Sequence, residues 1–242
     1  MLRVPASLLN RYRPAVIRSA GVEEKYCDAD ELLGRIARVL ALRFDGTLGV
    51  ETVDRYVREC YQLLYRSSAV KRYLPVLTER FARQRLSALA QRQGLHTKAV
   101  PEVLYVCTRN AGRSQIAAAL TSRHARGRVH VRTAGTVPAT HVDPVVRRAL
   151  VEIGLDAADE YPKPLTDEVV AAADVVVTMG CGDACPVFPA TRYLDWNIAE
   201  PHGAAIEAVR AIRDHIDMRV RELLVELSAA VPVFDPAEAF EI

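Results

Sequence analysis

The stretch EVLYVCTRNAGRSQ, residues 102–115, runs four apolar residues into Cys107, continues through small and polar residues, and reaches Arg113-Ser114. The apolar run reads as a short buried strand, and SQIAAALTSRHA after it as a helix. A thiol at such a strand end can do chemistry. Backbone N–H groups of a strand-to-helix loop converge on an anion at the helix N-terminus. The positive field of the helix end and of Arg113 favours a thiolate at Cys107. Gly112 allows a close backbone approach, and the planar guanidinium of Arg113 offers a fork to a tetrahedral oxyanion. Cys107 is thus the expected nucleophile. Thr108, Arg109, Asn110, Ala111, Gly112, Arg113 and Ser114 are the expected oxyanion cradle. The Cys-to-Arg spacing is weak by itself; its position between strand and helix carries the reading.

A second cluster, MGCGDACP, places Cys181 and Cys185 four residues apart at the end of another apolar run, DVVVTM. Three readings stand side by side. The pair could be half of a metal site, although His202 is the nearest imidazole and no second pair follows. It could be two inert core thiols, or a redox-active pair. Cys27 and Cys60 fall on helical patterns, where core packing is the simpler account.

These residues need a scaffold. DADELLGRIARVLALRF, GVETVDRYVRECYQLLYRSS and YLPVLTERFARQRLSALAQRQG have helical periodicity, with Asp28 or Asp30 as a cap for the first and Pro75 opening the third. They predict a helical bundle over residues 1–95, with an added helix near NRYRPAVIRSA, and GLHTKAVP as a linker. From residue 102 the rhythm becomes strand–helix alternation: VHVRTAG, DPVVRRALVEIG, LTDEVVAAA, DVVVTMG, TRYLDW and a long last helix. Alternation without hairpin signals predicts an α/β unit over 102–230, a parallel four-stranded sheet flanked by helices. Ligands of such sheets bind beyond the carboxyl ends of the strands, where Cys107 and Cys181 both fall.

Composition is consistent with two units. Residues 1–98 hold 18 Lys and Arg against 10 Asp and Glu, a balance of +8, and the remainder is −6. Five cysteines in 242 residues, odd in number and unevenly spaced, read as free or redox-active thiols rather than staples. With no apolar run of membrane-spanning length and no signal-type core, a cytoplasmic protein is expected. The arginines of the first unit are spread around its helices and no helix-turn-helix signature appears. Nucleic-acid binding is therefore disfavoured against docking on the second unit, self-association or a surface for a reductant.

The text VCTRNAGRSQ resembles the oxyanion loop of the low-molecular-weight tyrosine phosphatase superfamily. TAGTVPATHVDPVVRRALVEIGLD and PKPLTDEVVAAADVVVTMGCGDACPVFPATRYLDWNIAEP are similar to its arsenate reductase branch, and the helical first part to an extension found on some actinobacterial members. The resemblance implies arsenate as substrate and a relay. Cys107 attacks arsenic, Cys181 attacks Cys107 and releases arsenite, and Cys185 closes a Cys181–Cys185 disulfide. No bound cofactor is implied; the external reductant would be thioredoxin, or mycothiol with mycoredoxin. The superfamily's Asp-Pro general acid falls in register on Glu200-Pro201, with Asp195 the alternative. His202-Gly203 stands where phosphatases carry aromatic walls, which suits a small inorganic oxyanion. A potassium site known in some relatives would use Asn110, but the matching Glu position is Ala118, so Asn110 is expected to brace the loop. An arsenate–mycothiol transferase, a phosphatase and a non-catalytic oxyanion sensor are the rival functions.

Overall fold

A computed structural model describes residues 23–67, 71–181, 185–189 and 191–230. The helix expected near residues 10–20 lies outside them. Three helices come first: α1 (Glu23–Arg43), α2 (Val50–Ser67) and α3 (Leu74–Arg92). α1 begins ahead of Asp28 and Asp30, so neither is its cap; the Glu-Glu-Lys-Tyr-Cys run contains no breaker and continues the helix backwards. Pro75 sits in the first turn of α3, where its missing N–H costs nothing.

The second part follows as β1 (Glu102–Cys107), α4 (Arg113–Ala125), β2 (His130–Gly135), α5 (Pro144–Val151), α6 (Asp167–Ala172), β3 (Val175–Met179), β4 (Arg192–Asp195) and α7 (Ile206–Ala230). The four strands form one parallel sheet in the order β2-β1-β3-β4. All six residues of β1 are buried, as a central strand covered on both faces must be.

Alternation along the strands divides the core. Val103, Tyr105 and Cys107 of β1 and Val175, Val177 and Met179 of β3 face one cluster with Ile116 and Leu120 of α4, Val146 of α5 and Ile216 and Val220 of α7. Leu104, Val106 and Val176 face the other way, against Val169 and Val170 of α6 and Ala88 of α3. α3 therefore belongs to two cores at once. Its Phe81, Ala82 and Leu86 pack with Leu40 of α1 and Val53, Val57 and Leu64 of α2. The small Ala88 lets the same helix lie close on the sheet.

Charged groups reinforce this seam. Arg85 of α3 is 6% exposed and donates from Nε to Glu168 of α6. It also donates to Cys60 Sγ at 3.5 Å and Glu59 Oε2 at 3.3 Å, both on α2. Cys60 is thus a packed thiol, which burial pushes up to about 12. Arg132 of β2 donates to Glu102 of β1, to the Gln84 carbonyl at 2.7 Å and to Gln91 Oε1 at 3.2 Å, both on α3. Burial alone would raise the Glu102 carboxyl, but hydrogen bonds from His130 and Arg132 hold it below the usual carboxylate range. Among the described residues no helix is long and apolar enough to cross a membrane.

Candidate active site

β1 delivers Cys107 to the carboxyl end of the sheet, between Gly135 of β2 and Met179 of β3 in register. The chain then loops through Thr108–Gly112 into α4. Carbonyls around this loop all bond outward. Cys107 O accepts from Thr136 N–H at 3.3 Å, Thr108 O from Val137 at 2.8 Å, Arg109 O from Ala139 at 2.9 Å and Ala111 O from Asp143 at 2.9 Å. Asn110 O accepts from Gln115 Nε2 at 3.0 Å. In a trans peptide the following N–H points opposite to the carbonyl, so the amides turn inward over the sulfur. The Asn110 N–H reaches Cys107 Sγ at 3.2 Å. Backbone amides converging in this way have the geometry that can accept an anion.

Asn110 holds the loop in shape. Its φ of 48° is left-handed, a conformation Asn tolerates. Its Nδ2 donates to Ser114 Oγ at 2.8 Å, and its Oδ1 accepts from the Lys163 N–H at 2.8 Å and Gln115 Nε2 at 3.3 Å. Because Ser114 Oγ already accepts that bond, its own hydrogen is free to donate to Cys107 Sγ, 3.1 Å away. Gly135 has no room for a Cβ, which would lie 2.9 Å from Thr108 O and Asn110 N.

Arg113, 6% exposed, reaches across to the segment after β4. It donates to Ile198 O at 3.2 Å and pairs with Glu200, while its Nε is buried without a partner. An oxygen of a bound oxyanion would satisfy that Nε. Pro201 seals the loop, since a Cβ on Gly112 would stand 2.5 Å from its Cγ. His202 bridges back to Asp143 Oδ2 at 3.1 Å, and Asp143 Oδ1 caps α5 through the Val145 N–H. Asp195 instead accepts from Thr178 Oγ1 at 2.6 Å, a structural role within the sheet.

Beyond β3, Gly180 turns the chain with φ 67°, and its carbonyl accepts from Thr108 Oγ1 at 2.8 Å. A side chain there would meet Arg113 Nη1 at 2.5 Å. Cys181 and Cys185 are half-buried and pack against the cluster that includes Leu104, Val106 and Ala88, on the sheet face away from the Cys107 side chain. Burial raises both thiols, Cys181 also through the neighbouring Cys107, and Cys185 is pushed up to about 11. Among the described residues no group of three or more His, Cys, Asp or Glu could hold a metal ion.

The loop Cys107–Ser114 and Glu200 thus meet at the carboxyl end of the sheet, and Cys181 follows the adjacent strand; Cys60 lies in the α2–α3 seam instead. The sequence reading missed Asp143, Gln115 and the Lys163 N–H. The Asp-Pro in HVDP was a legible cap signal, whereas Gln115 and Lys163 act through loop contacts that no local pattern encodes.

Residues 33–90 match the model of the protein-tyrosine-phosphatase-like N-terminal domain, and residues 102–233 that of low molecular weight phosphotyrosine protein phosphatase. Among solved structures, the Corynebacterium glutamicum thioredoxin-dependent arsenate reductase is 45% identical with a TM-score of 0.77, over 83% of this chain and 98% of that one. A Halobacterium salinarum protein is 35% identical over 129 residues, 51% of this chain and 91% of its own length. The glutaredoxin arsenate reductase of Synechocystis is 28% identical over 130 residues, 52% of this chain and 98% of its own. With the thiol, its nest of amides and the buried arginine all inside the matched segment, the chain belongs to the low molecular weight phosphotyrosine protein phosphatase family.

Proposed function

We propose that the protein is an arsenate reductase that works through a thiol relay and is recycled by thioredoxin. Arsenate enters the nest with its oxygens on the loop amides and on Arg113, whose pairing with Glu200 it displaces. The Cys107 thiolate attacks arsenic, and an arsenate hydroxyl leaves as water with a proton that Glu200, once released from Arg113, takes up from solvent and delivers. Cys181 then attacks Cys107 Sγ. The sulfur–arsenic bond breaks with its electron pair on arsenic, so arsenic(V) becomes arsenite as two thiols become a disulfide. Cys185 attacks Cys181, restores the Cys107 thiolate and leaves a Cys181–Cys185 disulfide for an external dithiol.

The observation that carries this reading is the segment that follows β3: Gly180 O accepts from Thr108 Oγ1 of the Cys107 loop at 2.8 Å, Cys181 comes next in the chain with its thiol raised in part by Cys107, and Cys185 packs against the same cluster as Cys181. A phosphatase of this fold, which forms and hydrolyses a phosphocysteine, needs only the one thiol. Similarity to a thioredoxin-dependent reductase supports the choice of donor. One observation favours a second reading. Cys185, pushed up to about 11, is a poor nucleophile while buried, which would suit a small thiol such as mycothiol taking the arsenic directly. Arsenate turnover measured separately with thioredoxin and with mycothiol plus mycoredoxin tests the choice. Turnover with thioredoxin alone supports the relay; turnover only with mycothiol overturns it.

A further inference from the structure

A cavity of about 550 Å³ opens at the end of the sheet opposite Cys107, between the last turn of α1, the middle of α3 and the first residues of β2. Arg43, Arg83, Arg132, His96 and His130 all line it, and none of its lining residues is acidic. They come from α1, α3, β2 and the segment joining the helices to the sheet, so this is a concave convergence of bases rather than a solvated helix face.

Charge is not balanced within it. Glu102 is the carboxylate beneath the floor, and it is shared between Arg132 and His130. Arg43 and Arg83 make no hydrogen bond or ion pair with the described residues. Counting three guanidinium groups against one carboxylate leaves an excess of two positive charges with the imidazoles neutral. The carbonyl end of α1 offsets only part of that at Arg43. Low-dielectric walls around charges of one sign focus the field into the cavity.

The floor is also a fixed one. Arg132 is 5% exposed, and four of its five N–H groups are committed to Glu102, Gln84 and Gln91. One Nη1 hydrogen remains for the cavity it lines. Thr47, after α1, and Gln84 and Ser87, on α3, add neutral donors to the lining. Guanidinium forks match phosphate oxygens bidentately, and a cavity of this volume is in the range that holds a small ligand.

We propose that this cavity is a second anion site, separate from the Cys107 loop, that binds a compact phosphate ester or anhydride carrying at least two negative charges. Free arginines supply affinity, and the buried Arg132 supplies a pre-positioned donor. The site lies on the seam between α3 and the sheet, so an occupant would contact both units. The proposal does not depend on the chemistry assigned to Cys107.

The test is calorimetric titration of the full chain carrying Arg113→Ala, which disables the other anion site, with pyrophosphate and separately with ATP at low salt. Saturable binding of one equivalent is expected, weakened about tenfold or more by Arg43→Ala or by Arg83→Ala and further by both. Comparable binding of the two probes would identify the phosphates as the recognised group. Tighter binding of ATP would add the nucleoside, for which Phe44 provides a ring in the wall. Both arginines are exposed, so circular dichroism of the variants should match the parent. Absence of saturable binding for either probe, or binding indifferent to both substitutions in a folded protein, would overturn the proposal.

Discussion

Arg85→Met is the substitution whose cost the structure predicts most sharply. It removes the guanidinium and keeps an unbranched chain of similar length in the α2–α3–α6 seam. The loss falls on Glu168, whose carboxylate is 8% exposed and pairs with Arg85 Nε. Breaking one side of a buried ion pair costs about 3–5 kcal/mol, because the remaining charge is stranded. The contact with Glu59, which is 40% exposed, adds little. The guanidinium also lies 4.6 Å from the Tyr56 ring centroid, and methionine retains part of that packing. About 3 kcal/mol is the expected net loss. Removing both charges, as Arg85→Met with Glu168→Leu, should cost less than either single change, since neither partner is then stranded. Urea unfolding measures this directly. The single tryptophan, Trp196, belongs to the core of the sheet unit, while circular dichroism reports the helices of both units. Because α3 sits in both cores, the two signals should fall together and shift together in the variant. A loss below about 1 kcal/mol, or a Trp196 transition that does not move while the helical signal does, would refute the claim that this pair binds the units into one cooperative body.

Three further outcomes follow from the site. Arg113→Lys keeps the charge but not the fork, and should lower kcat/KM for arsenate about a hundredfold or more; near-normal turnover would remove Arg113 from the oxyanion site. Gly180→Ala places a Cβ on Arg113 at a left-handed φ, so steady-state kinetics should show at least about a tenfold loss with a stability cost of about 1–2 kcal/mol by denaturation. Closure of the Cys181–Cys185 disulfide should speed up about tenfold per pH unit from pH 7 toward the Cys185 value near 11, because only the thiolate attacks; a flat profile in quenched-flow mapping would show that a different group limits the step.

Much of this architecture is legible in the sequence, for reasons that can be located. Short apolar runs such as VLYV and DVVV have no length for a helix and must be buried strands, so β1 and β3 stand out, and the strand-end cysteines with them. The loop is readable because its chemistry is local: thiol, small residues, glycine and arginine lie within seven positions. The seam is not readable. Arg85 in FARQRLSAL looks like a solvent-facing arginine, and only the distant Glu168 makes burial tolerable. Glu102 and Arg132 look like strand-edge charges, yet they pair across the β1–β2 register inside the protein. The Arg113–Glu200 pairing joins residues 87 positions apart. Each of these depends on a long-range partner, which periodicity and spacing do not encode.

The central claim is that arsenate is reduced through the three thiols in order, with Cys181 and Cys185 supplying the two electrons, and one experiment addresses it directly. Fully reduced protein receives one equivalent of arsenate with no other reductant, is quenched with an alkylating agent, and is mapped by peptide mass spectrometry while arsenite is counted. The account predicts one arsenite per chain and a Cys181–Cys185 disulfide with Cys107 free. Cys185→Ser should stop at Cys107–Cys181, a bond that needs Cα atoms about 4.4–6.8 Å apart and so requires the segment after Gly180 to carry Cys181 onto the loop. Arsenite formation that leaves Cys181 and Cys185 alkylated as free thiols, or no arsenite until an external thiol is added, would contradict it.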